Sequence, residues 1–235
     1  MGLSWSSQDD HSTPRVYDWH KDTPDTRDHY HAFSVHNSRK TLPDRIDLRD
    51  QCPVVYDQDT YGTSTVRAVA AIHQIHQIHQ IHQIHHASAG DSPRLDGSVT
   101  NIRDSLKNMT SIDVPPHHSI YRRVPHTVTA LKTCLSEGLP FVFGFLVSKS
   151  FESRELAETG IMTLPKSEEA ILGGHAVICV GYSDRRRSFL IRNSWGDEWG
   201  EGGYFWMPYR LMRDQKRCSD FWTMTKGSEE EQPIP

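Results

Sequence analysis

The chain has little of what marks the simplest fold and function classes. Four cysteines in 235 residues, Cys52, Cys134, Cys179 and Cys218, are widely spaced and form no CxxC pair, too few for a disulfide scaffold at this length. They read as free thiols, with Cys179 in the apolar run AVICV expected to be a small buried side chain. No run of about 18 apolar residues exists to cross a membrane. The opening MGLSWSSQDDHS has neither the charged nor the apolar region of a secretory signal, which points to a cytoplasmic location. Gly2 and Ser6 fit an N-myristoylation pattern, though one acyl chain anchors only weakly. Neither charge sign dominates: the net charge is -4, acidic and basic residues are mixed, and no basic stripe argues for nucleic acid.

What is present falls into two halves. Residues 1–40 are polar, rich in His, Asp, Ser and Pro, with isolated aromatics at Trp19, Tyr30 and Phe33. Such a segment cannot form its own core, but it can lie as a leader or strap over a folded body, anchored by Trp19 and Phe33. From Thr63 to about His86 no Gly or Pro interrupts a helical reading. Within it the IHQ triplet repeats with period 3, which drifts around a 3.6-residue helix and spreads the Ile residues over several faces. Two shorter helices are expected in NIRDSLKNM and in TVTALKTCLSEG, the second stopping at Gly138. Beyond it the character changes to strands: PFVFGFLVS, HAVICVGYS, SFLIRNSW and YFWMPY are short apolar runs separated by turn signals such as SDRRR and GDEWGEGG. Helix-rich first and strand-rich second is an α+β pattern with two lobes.

The chemistry sits in three separated segments. His175 follows Gly173 and Gly174 at the start of a strand, where small neighbours let a substrate or another backbone approach. Asn193 lies on the next apolar strand and is followed by Ser194 and Trp195, so its amide could orient an imidazole while the indole excludes water. The runs GGHAVICVGY and IRNSWGDEWGEGGYFWMPY together resemble the region of papain-like cysteine peptidases that holds the catalytic His and Asn. DLRDQCPVVYDQDTYGTSTVRAVAA is similar to that family's nucleophile segment, in which Gln, Gly and the nucleophile follow in the order of Gln58, Gly62 and Ser64. Thr65 fits the family form with Thr after the nucleophile, and YDWHKDTPDTRD resembles a leader segment of some members. The resemblance covers most of the chain. It implies a two-lobed α+β fold over 41–225, with a helical lobe over about 50–135, a strand-rich, barrel-like lobe over about 136–225, the active-site cleft between them, and a disordered tail from 226. It also implies Ser64, His175, Asn193 and Gln58 as catalytic residues, Trp195, Gly173 and Gly174 at the binding surface, peptide or protein as ligand, and neither metal nor cofactor.

A serine stands where the family has its cysteine, and this changes the mechanism. The cysteine is stored as a thiolate beside an imidazolium at a helix N-terminus. A serine alkoxide is far too basic for that, so its proton must leave within the transition state. The expected oxyanion donors, the Gln58 side chain and the Ser64 backbone N–H, are retained, while Asp59 adds a negative charge near them, Tyr61 replaces a residue that is often cysteine, and Arg67 enters the first helical turns, where it must face solvent or a partner. Both the His175 and Asn193 spacings from Ser64 fall short of the roughly 130–150 residues of the papain pattern. The shortening is placed between Ile72 and Arg123, in one wall of the cleft. The period-3 histidines offer i, i+3 pairs with no carboxylate or cysteine to complete a metal site. Three functions stay open: a homologue with impaired or lost peptide-bond hydrolysis, a Ser-His-Asn hydrolase using Ser64, and a non-catalytic peptide binder.

Overall fold

The computed structural model describes residues 15–33, 41–55, 57, 64–83, 101–111 and 119–227. Two helices form one layer. Helix α1, Ser64–Gln83, opens on a buried stripe of Thr65, Ala68, Val69, Ile72 and Ile75, while Arg67 lies on the exposed side, as a charge among apolar first turns must. The stripe survives the first two IHQ triplets because three residues turn a helix by about 300°, so two successive Ile still share a face; His73 is carried into the core with them, 2 % exposed. Helix α2, Ile102–Ser111, buries Ile102, Leu106 and Met109 at i, i+4 and i+7, and its start is closed by Asn101, whose Oδ1 accepts the Asp104 N–H at 2.9 Å. α1 packs on α2 and on the sheet.

The sheet has seven strands: β1 Arg45–Asp47, β2 Ser119–Arg123, β3 Phe141–Ser148, β4 Ile171–Ser183, β5 Ser188–Arg192, β6 Tyr204–Pro208 and β7 Cys218–Lys226. Their order is β2-β7-β3-β4-β5-β6, with β1 added to β4, and every pairing is antiparallel. Three short helices complete the body: α3, Val128–Ser136, capped by the Thr127 hydroxyl; α4, Arg154–Thr159, ended by Gly160 at φ 65; and α5, Tyr209–Met212. The left-handed conformation at that helix end is one glycine adopts at little cost. β3 to β6 and the helix over 128–136 match the apolar runs in the sequence. β1, β2 and β7 carry no such signal. In β7 the alternation is interrupted at Asp220, which has φ 58, yet this strand lies between β2 and β3 and buries Phe221, Trp222 and Met224. Phe141, Phe143, Phe145, Phe151, Phe189 and Phe205 meet edge-on or tilted through the core, with ring centroids 5.1–6.4 Å apart, a geometry aromatic rings favour. The four thiols are free, three of them buried.

Residues 15–33 run in extended form across both layers. Trp19 N–H donates to Gly174 O at 2.9 Å, and further on His31 N–H donates to Arg123 O and Arg123 N–H to His29 O, each at 2.8 Å. Between these points the strap is fixed by a buried ionic cluster. The Asp22 carboxylate accepts from Trp222 Nε1 at 2.8 Å and from the Arg103 N–H at 3.1 Å, and its own N–H donates to Asp220 Oδ2. Arg123 spans Asp22, Asp28 and Asp220 while its guanidinium lies 4.3 Å over the Trp222 ring. Three carboxylates in a low-dielectric setting require such a cation. Phe33 packs against the core edge-on to His31.

Candidate active site

The register of β3 against β4 pairs Phe145 with His175 and Gly144 with Ala176, so His175 enters the interior from a strand buried on both sides. β5 runs beside β4 and ends at Arg192, which places Asn193 next to it. His175 Nε2 lies 2.9 Å from Asn193 Oδ1. An amide oxygen only accepts, so Nε2 carries the proton and Nδ1 of the neutral ring holds the lone pair. Asn193 is fixed in turn: its N–H donates to Gly203 O, and its Oδ1 also accepts the Ser194 N–H at 2.9 Å. Trp195 lies 5.4 Å from the imidazole at an interplanar angle of 30°, and Phe145 and Phe151 close the other sides at 5.8 and 6.2 Å. This aromatic wall leaves His175 fully buried and pushes its pKa down to about 4, with burial the main cause, the Asn193 hydrogen bond opposing it and Arg15 adding to it.

Ser64 opens α1 with no exposed surface, and its Oγ accepts the Ala176 N–H at 3.4 Å, beside His175. Its hydroxyl proton, however, goes elsewhere: Oγ donates to Asp18 Oδ1 at 2.9 Å. His175 Nδ1 is buried and has no hydrogen-bond partner among the described residues. Ser64, His175 and Asn193 are thus assembled in one place, but the serine is joined to the strap and not to the imidazole. Gln58 and the neighbouring Asp59, Tyr61 and Gly62 lie outside the described residues; the adjacent Asp57 bridges to Trp195.

Of the strap residues in this centre, the sequence singled out Trp19 as an anchor but neither Tyr17 nor Asp18. Asp18 forms a parallel bridge with Gly174. Trp19, 6 % exposed, fills the space left by two missing side chains: a Cβ on Gly144 would sit 1.9 Å from the indole, and one on Gly174 would sit 2.2 Å from the Trp19 carbonyl oxygen. Gly173 likewise makes room for Tyr17, whose Cβ would be 2.6 Å from an added one. The Tyr17 ring stands edge-on to His175 at 6.0 Å, and its hydroxyl donates to Glu152 at 2.6 Å. Arg15 lies 4.2 Å over the Trp195 ring and 3.8 Å from Asp57. The three residues proposed from sequence as a binding surface, Gly173, Gly174 and Trp195, are therefore those the strap covers. The signal was the tripeptide YDW in an otherwise polar segment, a carboxylate between two aromatics. Burial raises the Asp18 pKa, and hydrogen bonds from the Ser64 hydroxyl and backbone act against that rise.

Among the described residues no group of three or more His, Cys, Asp or Glu could hold a metal, and no helix is long and apolar enough to cross a membrane.

Comparison with known proteins places this arrangement. An uncharacterized peptidase C1-like protein of Acanthamoeba polyphaga mimivirus is 44 % identical over 111 residues, which are 47 % of this chain and 34 % of that protein. Cathepsin B-like cysteine proteinase 3 of Ostertagia ostertagi is 33 % identical over 98 residues, 41 % of this chain and 51 % of that one. The chain thus spans about a third to a half of the length of these curated relatives. Among solved structures, xylellain, a cysteine protease from Xylella fastidiosa, superposes with a TM-score of 0.73 at 29 % identity, covering 90 % of this chain and 96 % of that one. A procathepsin B from Trypanosoma congolense shares the fold with a TM-score of 0.63 at 14 % identity, over 92 % of this chain and 87 % of that one. The fold is the two-lobed papain-like α+β fold, and since the papain family cysteine protease model matches residues 100–220, more than half of the sequence, the chain belongs to that family.

Proposed function

We propose that this chain is a papain-family peptidase homologue that binds peptide in its cleft, with hydrolysis impaired because Ser64 replaces the cysteine, and that its own residues 15–20 occupy that cleft in the closed form. The observation that carries this reading is the hydrogen bond from Ser64 Oγ to Asp18 at 2.9 Å, beside a His175 Nδ1 with no hydrogen-bond partner among the described residues. A serine needs its base in contact, because its proton must move as the bond to carbon forms. Here the base and the hydroxyl are neighbours without a hydrogen bond. A cysteine would need less from that contact, since its thiolate forms before substrate arrives. The roles are those the family resemblance implies: Ser64 as attacking atom if hydrolysis occurs, His175 as base and then acid, Asn193 as the residue that fixes the imidazole tautomer, and Gln58, outside the described residues, with the Ser64 N–H as oxyanion donors. Trp195 keeps water from the His175–Asn193 hydrogen bond.

Hydrolysis of a fluorogenic peptide library tests the reading, using the Trp19→Ala chain and the Ser64→Cys/Trp19→Ala chain, each with and without His175→Ala. Turnover appearing only with Cys at 64 and vanishing with His175→Ala is the expected result. His175-dependent turnover by the Ser64 form would make the protein a serine-using hydrolase instead.

A further inference from the structure

A second concave site lies at the other end of β4. The strand carries His175 near its start and Ser183 at its end, so eight residues, about 26 Å of strand, separate the two. Around the far end is a cleft of about 840 Å³, walled by Asp44, Arg45 and Arg49, by residues 183–186, and by Glu201 with Trp206. Most of its charges are already matched. Asp184 accepts from Lys132 at 2.7 Å and from the Tyr209 hydroxyl at 2.8 Å. Glu201 accepts from Arg49 and from Trp206 Nε1, and Asp47 is shared by Arg45 and Arg49. Three charges are left over among the described residues: Arg185 and Arg186, both exposed, have no carboxylate within ion-pair distance, and Asp44 has no cation. The turn that presents the arginines runs against local preference. Residues 184–187 join β4 to β5, closed by the Arg187 N–H donating to Asp184 O at 3.1 Å, and Arg187 has φ 51, where glycine or asparagine fits better. Three consecutive exposed arginines also repel one another. Arg186 is nevertheless held in place: its guanidinium lies 4.8 Å over the Trp206 ring, which Glu201 fixes from the other side. A guanidinium stacked on a fixed indole keeps its N–H edge free to take two oxygens of one anion.

We propose that this cleft binds a small phosphate monoester of a sugar or polyol, with the phosphate held between Arg185 and Arg186 and a hydroxyl of the same molecule held by the Asp44 carboxylate. The inference does not depend on the peptide-binding reading above. A phosphate monoester is close to a dianion at neutral pH and so answers two uncompensated cations better than a carboxylate or a sulfate ester, each with a single charge. A volume of this size suits a molecule and not a lone ion. Asp44 sets what the rest of that molecule must be: a carboxylate only accepts hydrogen bonds, so it repels a second phosphate and takes a hydroxyl.

The test is calorimetric titration of the full chain with glucose 6-phosphate as the probe, and with methyl phosphate, glucose 6-sulfate and glucose for comparison. Glucose 6-phosphate is expected to bind about 10-fold more tightly than methyl phosphate or the sulfate, and glucose not to bind. Arg185→Gln with Arg186→Gln should weaken glucose 6-phosphate about 100-fold, and Arg186→Lys, which keeps the charge and loses the planar fork, about 10-fold. Asp44→Asn should weaken glucose 6-phosphate about 5-fold and leave methyl phosphate no weaker. Lys107→Gln, an exposed cation on α2, should change nothing. Equal binding of the three anions, or an equal loss in Lys107→Gln, would overturn the site in favour of general attraction between charges. Full affinity in Arg186→Lys would overturn the stacked guanidinium as the clamp, and an equal effect of Asp44→Asn on both phosphates would overturn the hydroxyl contact. A readout in the unaltered chain does not depend on any variant folding. The indole N–H resonance of Trp206 should shift as glucose 6-phosphate is added, while that of Trp222, buried against Asp22, should stay. An unmoved Trp206 resonance would overturn the proposal.

Discussion

Trp19→Ala should lift the first part of the strap while leaving the rest in place. The indole is 6 % exposed and fills the slot over Gly144 and Gly174, where no other side chain could be built without contact below 3 Å. Removing a buried tryptophan costs about 3–5 kcal/mol, and the loss falls on the local docking equilibrium of residues 15–20, whose remaining ties include the backbone pairing of residues 18 and 19 with Gly174, the Ser64–Asp18 and Tyr17–Glu152 hydrogen bonds and the Arg15 contacts. At about 1.4 kcal/mol per tenfold, the open population of this segment should rise by roughly two to three orders of magnitude. Residues 22–31 hold separately, through the carboxylates grouped around Arg123 and the backbone pairing at His29 and His31. Hydrogen exchange followed by mass spectrometry reads the two parts independently. The Trp19 amide should exchange roughly 100–1000-fold faster and the His31 amide should keep its protection. An unchanged Trp19 rate would refute the slot as the anchor, and equal loss at both amides would refute the division of the strap into two independently held parts. Gly144→Val approaches the same state from the other side by closing the slot, and should give the same pattern with Trp19 intact.

His175 should titrate near pH 4 in the closed chain by NMR, and its midpoint should move up toward the ordinary value of about 6.5 in Trp19→Ala, where water reaches the ring. A pKa lowered on closing means that the open form binds more protons between those two values, so His175's contribution to closure is full above about 6.5 and is lost as pH falls toward 4. Asp22 acts in the opposite sense: burial first, and the Asp220 charge second, push its pKa up to about 6, so docking takes up a proton as pH falls through that value. Asp22→Asn should therefore make acid opening of residues 22–31 steeper, measured as His31 exchange against pH; an unaltered profile would exclude Asp22 from the balance. Arg123→Met leaves Asp22, Asp28 and Asp220 grouped without their shared cation and should cost about 3–5 kcal/mol, seen as a lower midpoint in urea and partly restored by Asp220→Asn.

The active-site strands were legible because they are buried on both sides: nearly every residue of β3, β4 and β5 is apolar, and the glycines and His175 stand out against that background. β7 was not legible, because Asp220 and the residues around it serve the ionic cluster and the strap, and so break the apolar run that would have marked a strand in the middle of the sheet. β2 fails for a similar reason. Its SIYRR sequence carries Arg123, whose charge is needed by three aspartates that lie far away in the chain. The stripe on α1 was underestimated because the whole IHQ tract was read at once; the first two triplets keep Ile72 and Ile75 in phase with Ala68 and Val69, and the burial follows that phase. Asp18 was invisible for a different reason. Nothing local distinguishes a surface aspartate from one that meets Ser64 across 46 residues of sequence.

The serine at 64 and the aspartate at 18 make sense as a pair in a way that neither does alone. A neutral hydroxyl both accepts the Ala176 N–H and donates to Asp18, so the closed centre contains one anion and donors arranged around it. With a thiolate in place of the hydroxyl, two anions would face each other in a site walled by Trp195, Phe151 and Phe145, where low polarity strengthens repulsion. The thiol would then stay protonated or the strap would leave. Placing cysteine at 64 therefore does two things at once: it introduces a side chain that ionises more readily than serine and weakens closure, increasingly so as pH rises through the thiol pKa. Ser64→Cys alone should thus show Trp19 exchange that accelerates with pH beyond the intrinsic rate, while Ser64→Ala should show a constant factor at every pH, since it removes a hydrogen bond and adds no charge. If the Ser64→Cys profile ran parallel to that of Ser64→Ala, the contact between residues 18 and 64 would be steric and the electrostatic account of the pairing would be wrong.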